Sequence, residues 1–277
     1  SGDSLAGRFF SYRLHPLTLK EIDHYLSIPP PQALDQLLTL GGFPEPFLNG
    51  SEQYARRWRR THIDTIVRQD LLDLETVRDI KSIEILINLL KQRVGSLVSY
   101  SSLANDLQVS IHTVKHWLQI LENLYIIFPV RPFHRDITRS ILKTGKYYFY
   151  DTGAVSGNEG VRLENLVAAA LLREIHYLED TDGRHGELCF IRDRESREID
   201  FLVVIDNIPR QLVEVKLSDN QFSSHLSRFS AMLGDIPGVQ IVKNLKQNKS
   251  HGSLSMVSAA EFLVRLNPAD WTSGPAL

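Results

Sequence analysis

Two strands are written into residues 198–217, and each carries charge where a sheet core calls for hydrocarbon. Alternation across 198–205 places Asp200, Leu202 and Val204 on one face and Ile199, Phe201, Val203 and Ile205 on the other. In the following strand, residues 211–217, Glu214 and Lys216 share a face opposite Val213, Val215 and Leu217. A five-residue turn over 206–210 sets Asp200 opposite Lys216 and diagonal to Glu214, at about 5 and about 7 Å by ordinary sheet spacing, and a bulge would change that register. Ionisable groups of both signs are therefore expected to converge at one place on a small sheet.

The flanking pattern is that of a mixed-sheet α/β domain over 151–266. A glycine-rich loop from Gly153 to Gly160 leads into a helix over about 161–178, whose stripe is Leu163, Leu166, Val167, Ala170, Leu171 and Ile175. Glu164 stands at the margin of that stripe beside the small Ala168, free to reach the sheet edge. A strand over 187–192 precedes the pair described above. A helix over 223–233, strands over 239–242 and 254–257 and a helix over 259–266 follow, and the tail from Asn267 reads as loose.

Such a grouping suits phosphodiester chemistry. Two carboxylates hold a hard divalent cation, Mg²⁺ or Mn²⁺, which acidifies water and offsets transition-state charge, and a neighbouring ammonium orients the nucleophile or stabilises the developing charge. The expectation is that Glu164, Asp200, Glu214 and Lys216 converge, with one cation touching at least two carboxylates and the Val215 carbonyl. By itself a Glu-x-Lys strand is more often a solvated face with a cross-strand ion pair. The demanding feature is the order of helix Glu, strand Asp and strand Glu-x-Lys.

Upstream the chain is helical. Residues 9–14 read as a short strand, and Thr18 with Glu21 has capping-box spacing for a helix start. A short helix over 33–39 ends at Gly41-Gly42, and a long helix over 52–72 follows, with Tyr54, Trp58, Ile63, Ile66, Val67 and Leu71 as its stripe. Arg56, Arg57, Arg59 and Arg60 occupy the other faces of its first half and read as a solvated or partner-facing surface rather than a nucleic-acid contact. After a helix over 82–93 comes a helix-turn-helix pattern: Ser99 caps one helix, Gln108-Val109 turns, and Ser110 caps a second running to Asn123. Its inward residues are Ile111, Val114, Trp117, Leu118 and Leu121, leaving His112, Thr113, Lys115 and His116 outward. Strands over 125–130 and 146–150 flank a loop with Arg131, Arg135, Arg139 and Lys143, which would form a basic wing. These eight residues are the candidate nucleic-acid contacts. The division expected is an end piece at 1–24, a helical region at 25–80, a winged helix-turn-helix at 81–150, the α/β domain at 151–266 and a tail at 267–277.

With 277 residues and a net charge of −2, nucleic-acid contact has to come from local patches rather than from bulk charge. Cys189 is the only cysteine and reads as core, no apolar run approaches membrane-spanning length, and a cytoplasmic protein without membrane partners is expected. Ser1-Gly2-Asp3 has neither an initiator Met nor a signal-like start, which reads as a point within a longer polypeptide. The histidines His15, His24, His62, His176, His185, His225 and His251 show no metal-ligand spacing and read as surface or hydrogen-bonding residues.

Glu164, Ile199-Asp200 and Glu214-Val215-Lys216 together resemble the PD-(D/E)XK phosphodiesterase superfamily. The stretches Leu5-Ala6-Gly7-Arg8, Gly41-Gly42-Phe43-Pro44-Glu45, residues 147–153 and Leu163-Glu164-Asn165-Leu166-Val167 resemble a prokaryotic family of AAA-type ATPases. In that family an N-terminal ATPase domain precedes a domain of unknown function with a nuclease-like end. The resemblance implies a restriction-endonuclease-like fold after an all-α and winged-helix part. It also implies catalysis by Glu164, Asp200, Glu214 and Lys216, a metal held by Asp200, Glu214 and Glu164, and nucleic acid, DNA above all, as partner beside an upstream ATPase domain. The phosphate-binding loop is missing, because Gly145-Lys146 is followed by Tyr147 and lacks the upstream glycine. ATP would thus enter only through that upstream domain. The alternative is a non-catalytic module that binds nucleic acid or protein and regulates or targets the ATPase.

Overall fold

Apolar residues at helical spacing bring the N-terminal half together. The computed structural model describes residues 10–73, 80–134 and 145–272, with the side chains of 68–73 outside that description. Helix α1 (Leu19–Leu26) starts at the expected capping box, in which the Thr18 side chain accepts from the Glu21 amide and Glu21 reaches back to the Thr18 amide. Helix α2 (Pro30–Leu40) begins on prolines, which need no amide donor in the first turn, and buries Ala33, Leu34, Leu37 and Leu38. Helices α3 (Pro44–Asn49), α4 (Glu52–Asp73) and α5 (Ile80–Lys91) follow, and α5 buries Ile83, Leu86, Ile87 and Leu90. Ser99 and Ser110 cap α6 (Tyr100–Leu107) and α7 (Ile111–Asn123), and Gln108 makes the left-handed turn between them. Ile111, expected inside, is 46 % exposed, and Ile120 is buried in its place. As the first residue of its helix, Ile111 lies before the first full turn can carry it inward.

Strands β1 (Ile127–Pro132) and β2 (Lys146–Phe149) form an antiparallel pair. A short stretch before α6 joins it, as Leu97 bridges Lys146 and the Val98 amide donates to the Gly145 carbonyl at 3.0 Å. A 3₁₀ turn at Thr152–Ala154 leads into α8 (Glu159–Asp182), capped by Asn158 and ended at Gly183. Strands β3 (Gly186–Arg192), β4 (Glu198–Ile205) and β5 (Ile208–Lys216) make an antiparallel meander. Helix α9 (Ser224–Met232) then crosses to β6 (Gly238–Val242), which runs parallel to β5. Strands β7 (Lys249–His251) and β8 (Leu254–Ser258) and helix α10 (Ala259–Arg265) complete the elements.

The molecule is therefore a helical N-terminal part followed by a mixed sheet of eight strands in the order β2-β1-β3-β4-β5-β6-β8-β7. One large apolar core runs from Leu19 to Trp271 and joins the helical part to the α8 side of the sheet, through Leu163, Val167, Leu171, Phe201, Val203 and Val213. A smaller core of Ile199, Leu202, Val204 and Leu212 with Leu226 and Phe229 fills the α9 side. Among the described residues no helix is long and apolar enough to cross a membrane.

Two expectations at the ends are corrected. Residues 10–14 form no strand: Phe10 is 86 % and Leu14 100 % exposed, and the Arg13 amide goes to Asp180 rather than to a neighbouring strand. The tail is not loose at its start, since a 3₁₀ turn at Pro268–Trp271 buries Trp271, whose indole N–H donates to Gln211 at 2.9 Å. Cys189 is in the core, and His15 and His176 hydrogen-bond one another at 2.9 Å.

Candidate active site

The register of the central hairpin decides which charges meet. Ile205 pairs with Ile208, so the turn is the two residues Asp206 and Asn207, both at positive φ as a type I′ hairpin requires. The pairing then shifts between Val203 and Val204, leaving Arg210 as the extra residue, and continues through Phe201 opposite Val213. Continued by one residue, this register sets Asp200 opposite Glu214, not opposite Lys216 as a five-residue turn would have it. The Val215 amide donates to Asp200 Oδ2 at 2.8 Å, fixing that carboxylate across the two strands.

A second bulge lies on β4, where Asp200 and Phe201 together stand against Phe190 of β3 and the expected alternation is broken. Ile199 joins the α9-side core with Leu202 and Val204, whereas Phe201 faces the α8 side. That switch of side falls at Asp200.

Helix α8 is locked to β2 by Asn165, which is fully buried. Its side chain accepts from the Phe149 amide at 2.8 Å and donates to the Phe149 carbonyl at 2.9 Å and to Thr152 Oγ1 at 3.0 Å. The neighbouring Glu164 thereby meets Tyr148, whose hydroxyl donates to Glu164 Oε1 at 2.6 Å. Lys146, only 3 % exposed, lies 2.6 Å from Glu198 and 3.9 Å from Glu164. Gly95 closes over the same carboxylate: its φ is +74° and an added Cβ would stand 2.8 Å from Glu164 Oε1. Lys216 Nζ is 2.7 Å from Glu214 Oε1, while Glu214 Oε2 is buried with no hydrogen-bond partner.

These contacts set the protonation of the cluster. Burial first, and the charge of Asp200 second, push Glu164 up to about 7, against the pull of Lys146 and Tyr148. Glu214 is likewise pushed up to about 7 by burial and by Asp200, with Lys216 opposing. Burial raises Asp200 as well, offset in part by Lys146 and by the Val215 amide. Burial works against both ammonium groups, but the surrounding carboxylates hold Lys146 and Lys216 above the ordinary lysine range. Burial of more carboxylates than the two ammonium groups can balance is thus what sets the protonation of the site.

Glu164, Asp200, Glu214 and Lys216 are brought into one cluster of interacting charges. Lys146, Tyr148 and Glu198 belong to it too, and neither they nor Asn165, which positions Glu164 from outside the cluster, were singled out for chemistry in the sequence. The only available signals were their places in Lys146–Phe149 and beside Glu164, since a buried lysine in a strand looks like any strand-edge residue until its partners are known. Among the described residues no three His, Cys, Asp or Glu side chains are arranged to hold a metal ion. Glu164 is turned to Tyr148 and Lys146, so the expected three-carboxylate cage is not assembled. The oxygens that suit a hard cation are those of Asp200 and Glu214, and two carboxylates completed by water are a common magnesium arrangement. The unpartnered Glu214 Oε2 fits that role.

On α7, His112, Lys115 and His116 are exposed. Thr113 is half-buried and engaged with Ser110 at 2.8 Å, and Lys115 lies 5.4 Å from the centre of the Tyr100 ring. Arg131 is half-buried on β1. Arg135, Arg139 and Lys143 lie outside the described residues, as do residues 5–8.

Two family models match the chain, both described as domains of unknown function: DUF8612 over residues 31–164 and DUF4143 over residues 159–262. Their junction falls at the start of α8, so Glu164 sits where the two meet. The chain is similar to an uncharacterized protein of Haemophilus influenzae, 29 % identical over 76 % of this chain and 56 % of the relative. An uncharacterized protein of Methanocaldococcus jannaschii is 25 % identical over 84 % of the chain and 56 % of its own length. One of Mycobacterium tuberculosis is 27 % identical over 55 % of the chain and 33 % of its length. The chain thus spans about half the length, or less, of the curated relatives it matches. No solved structure matches it.

Proposed function

We propose that the cluster is a divalent-metal-dependent phosphodiesterase centre on a restriction-endonuclease-like domain, and that the helices before it form a winged helix that delivers nucleic acid. The observation that carries this reading is Glu214 Oε2, a carboxylate oxygen with no partner, buried opposite a second carboxylate and beside a lysine. Burying such an atom costs free energy that a ligand would recover.

Asp200 and Glu214 would hold the cation, Mg²⁺ or Mn²⁺, which when bound acidifies water and offsets charge on the scissile phosphate. The Val215 amide fixes the Asp200 carboxylate in place. Lys216, whose side chain is 41 % exposed, would offer its ammonium to a phosphoryl oxygen of the substrate. Lys146 and Tyr148 restrain Glu164 behind these groups. The winged-helix assignment is supported by the order helix, bridging stretch, helix, helix, strand, strand, with Leu97 paired to Lys146. An upstream ATPase domain would fit the additional length of the relatives.

The test is cleavage of single- and double-stranded DNA and RNA with Mg²⁺ or Mn²⁺, by this chain and by the longer protein. Asp200→Asn and Glu214→Gln should abolish cutting with the fold intact. Lys216→Ala should lower turnover on the order of a hundredfold, as for loss of one preorganised electrostatic contact, while metal still binds. Cutting by the wild type that survives Asp200→Asn would refute the assignment.

Lys146 supports a second reading. A buried ammonium 2.6 Å from Glu198 and 3.9 Å from Glu164 already compensates part of the acid cluster. On that reading the region is a non-catalytic module that binds nucleic acid or protein and regulates or targets an attached ATPase. Metal binding without cleavage of any nucleic acid, tested with the ATPase domain present, would favour it.

A further inference from the structure

Among the described residues, helices α4 and α5 line an open cavity with mostly polar and charged side chains. Arg56, Arg59, Arg60 and Asp64 of α4 share one helical face by their spacing, as do Glu84, Ile87, Asn88 and Lys91 of α5. Together with the turn around Gly153 they line an open cavity of about 740 Å³, inside the roughly 300–1,000 Å³ range of small-molecule sites. Four cationic side chains face two acidic ones there, in a chain whose net charge is −2.

One cation is built in rather than merely exposed. The Arg59 side chain is 12 % accessible, donates from Nη1 to the Leu40 carbonyl at 2.8 Å and lies 3.9 Å from the buried Asp151. Its guanidinium lies so close to Gly153 that a Cβ there would stand 2.2 Å from Nη1. Only one of its five N–H groups is used by the carbonyl. Lys91 adds a second charge on the facing helix, with the Asn88 side-chain oxygen at 3.5 Å. Burial, and Arg59 after it, lower the Lys91 pKa, which an anion between the two would reverse. Arg56 and Arg60 stand exposed at the rim.

We propose that this cavity binds a small phosphorylated ligand of the nucleotide class, its phosphoryl oxygens taken by Arg59 and Lys91 and its charge attracted by Arg56 and Arg60. A planar guanidinium fixed in place and an ammonium across from it match the oxygens of a di- or triphosphate. The cavity exceeds what one phosphate needs, and Ile63 and Ile87 supply apolar wall for the remainder of the ligand. It shares no residue with the carboxylate cluster, so occupancy and cleavage are separable. The expectation that the chain lacks a phosphate-binding loop is unaffected, because this site uses side-chain cations rather than a glycine-rich turn.

Calorimetric titration of the full chain with ADP, ATP, inorganic pyrophosphate, adenosine and a single-stranded oligonucleotide tests this. ADP or ATP and pyrophosphate should bind and adenosine should not, with affinity falling as salt rises. Lys91→Met should weaken binding about tenfold or more, and Arg60→Gln, at an exposed position where folding is not at stake, severalfold. Asp200→Asn should leave binding unchanged. The proposal is overturned if neither nucleotide nor pyrophosphate binds at millimolar concentration, if Lys91→Met and Arg60→Gln bind as the wild type does, or if only the oligonucleotide binds.

Discussion

Replacing Glu214 by Gln should make the protein more stable at alkaline pH. The Glu214 carboxyl is 4 % exposed and is pushed from an ordinary 4.5 up to about 7. At roughly 1.4 kcal/mol per tenfold, holding it ionised in the fold costs about 3 kcal/mol. The folded state binds the proton more tightly than the unfolded chain does, so stability falls as pH rises from 4.5 through about 7 and levels off above. Glutamine keeps the shape and removes the charge. It also removes the partner of Lys216, but that side chain is 41 % exposed and the loss is below about 1 kcal/mol. The variant should therefore gain about 2 kcal/mol at pH 8 and differ by less than about 1 kcal/mol near pH 4.5. Urea unfolding at the two pH values, with m unchanged, reads this directly. A Gln variant that is less stable than wild type at pH 8, or equally shifted at both values, would refute the account of Glu214 as a strained, ligand-seeking carboxylate.

Other outcomes follow from the same geometry. Lys146→Met should destabilise by about 2–3 kcal/mol at pH 8, because it takes the buried cation from Glu164 while Glu198 keeps Arg192 at 3.6 Å, and by less at pH 5, where Glu164 is protonated; thermal unfolding at both values checks it. Gly95→Ala should cost about 1 kcal/mol or more and displace Glu164, lowering cleavage without touching Asp200 or Glu214; unfolding and activity measured together separate the two effects. Lys115→Ala with His116→Ala should weaken duplex DNA binding, and Arg135→Ala with Arg139→Ala should also flatten its dependence on salt; no change in either titration would favour a protein-docking role for α7.

Much of the fold was legible because periodicity reports burial. The helices capped by Thr18, Ser99 and Ser110 and the strands around Asp200 and Glu214 all appear close to where the pattern sets them. The register was not legible, because strand alternation is silent on how many residues a turn uses. Asp206 and Asn207 took the two-residue turn and Arg210 the bulge, and that moved Asp200 opposite Glu214. Asp200 and Glu214 were visible as charges in apolar strands, and Glu164 as an acid at the margin of a helical stripe. Lys146 and Asn165 were not, since each looks like an ordinary polar residue until a partner distant in sequence, Glu198 for one and Phe149 for the other, is folded against it. The apparent strand at residues 10–14 failed for the converse reason, as β-prone residues form no strand without a neighbour to pair with.

The two readings of the site differ in what balances its negative charge. On the proposed reading three agents would compete for the same carboxylates: the resident lysines, protons and a divalent cation. Lys146 and Lys216 do not suffice, because Glu164 and Glu214 still hold protons up to about 7 with both ammonium groups beside them. A cation entering at Asp200 and Glu214 has to displace protons there, so its affinity rises with pH through about 7 and binding releases protons. A module that needs only structural compensation gains nothing from so high a value, because the same fold with a glutamine at 214 would be more stable. If Glu214→Gln is the more stable protein at pH 8, the proposed reading accounts for the carboxylate as a hard ligand for chemistry at neutral pH, whereas the packing around it does not call for one.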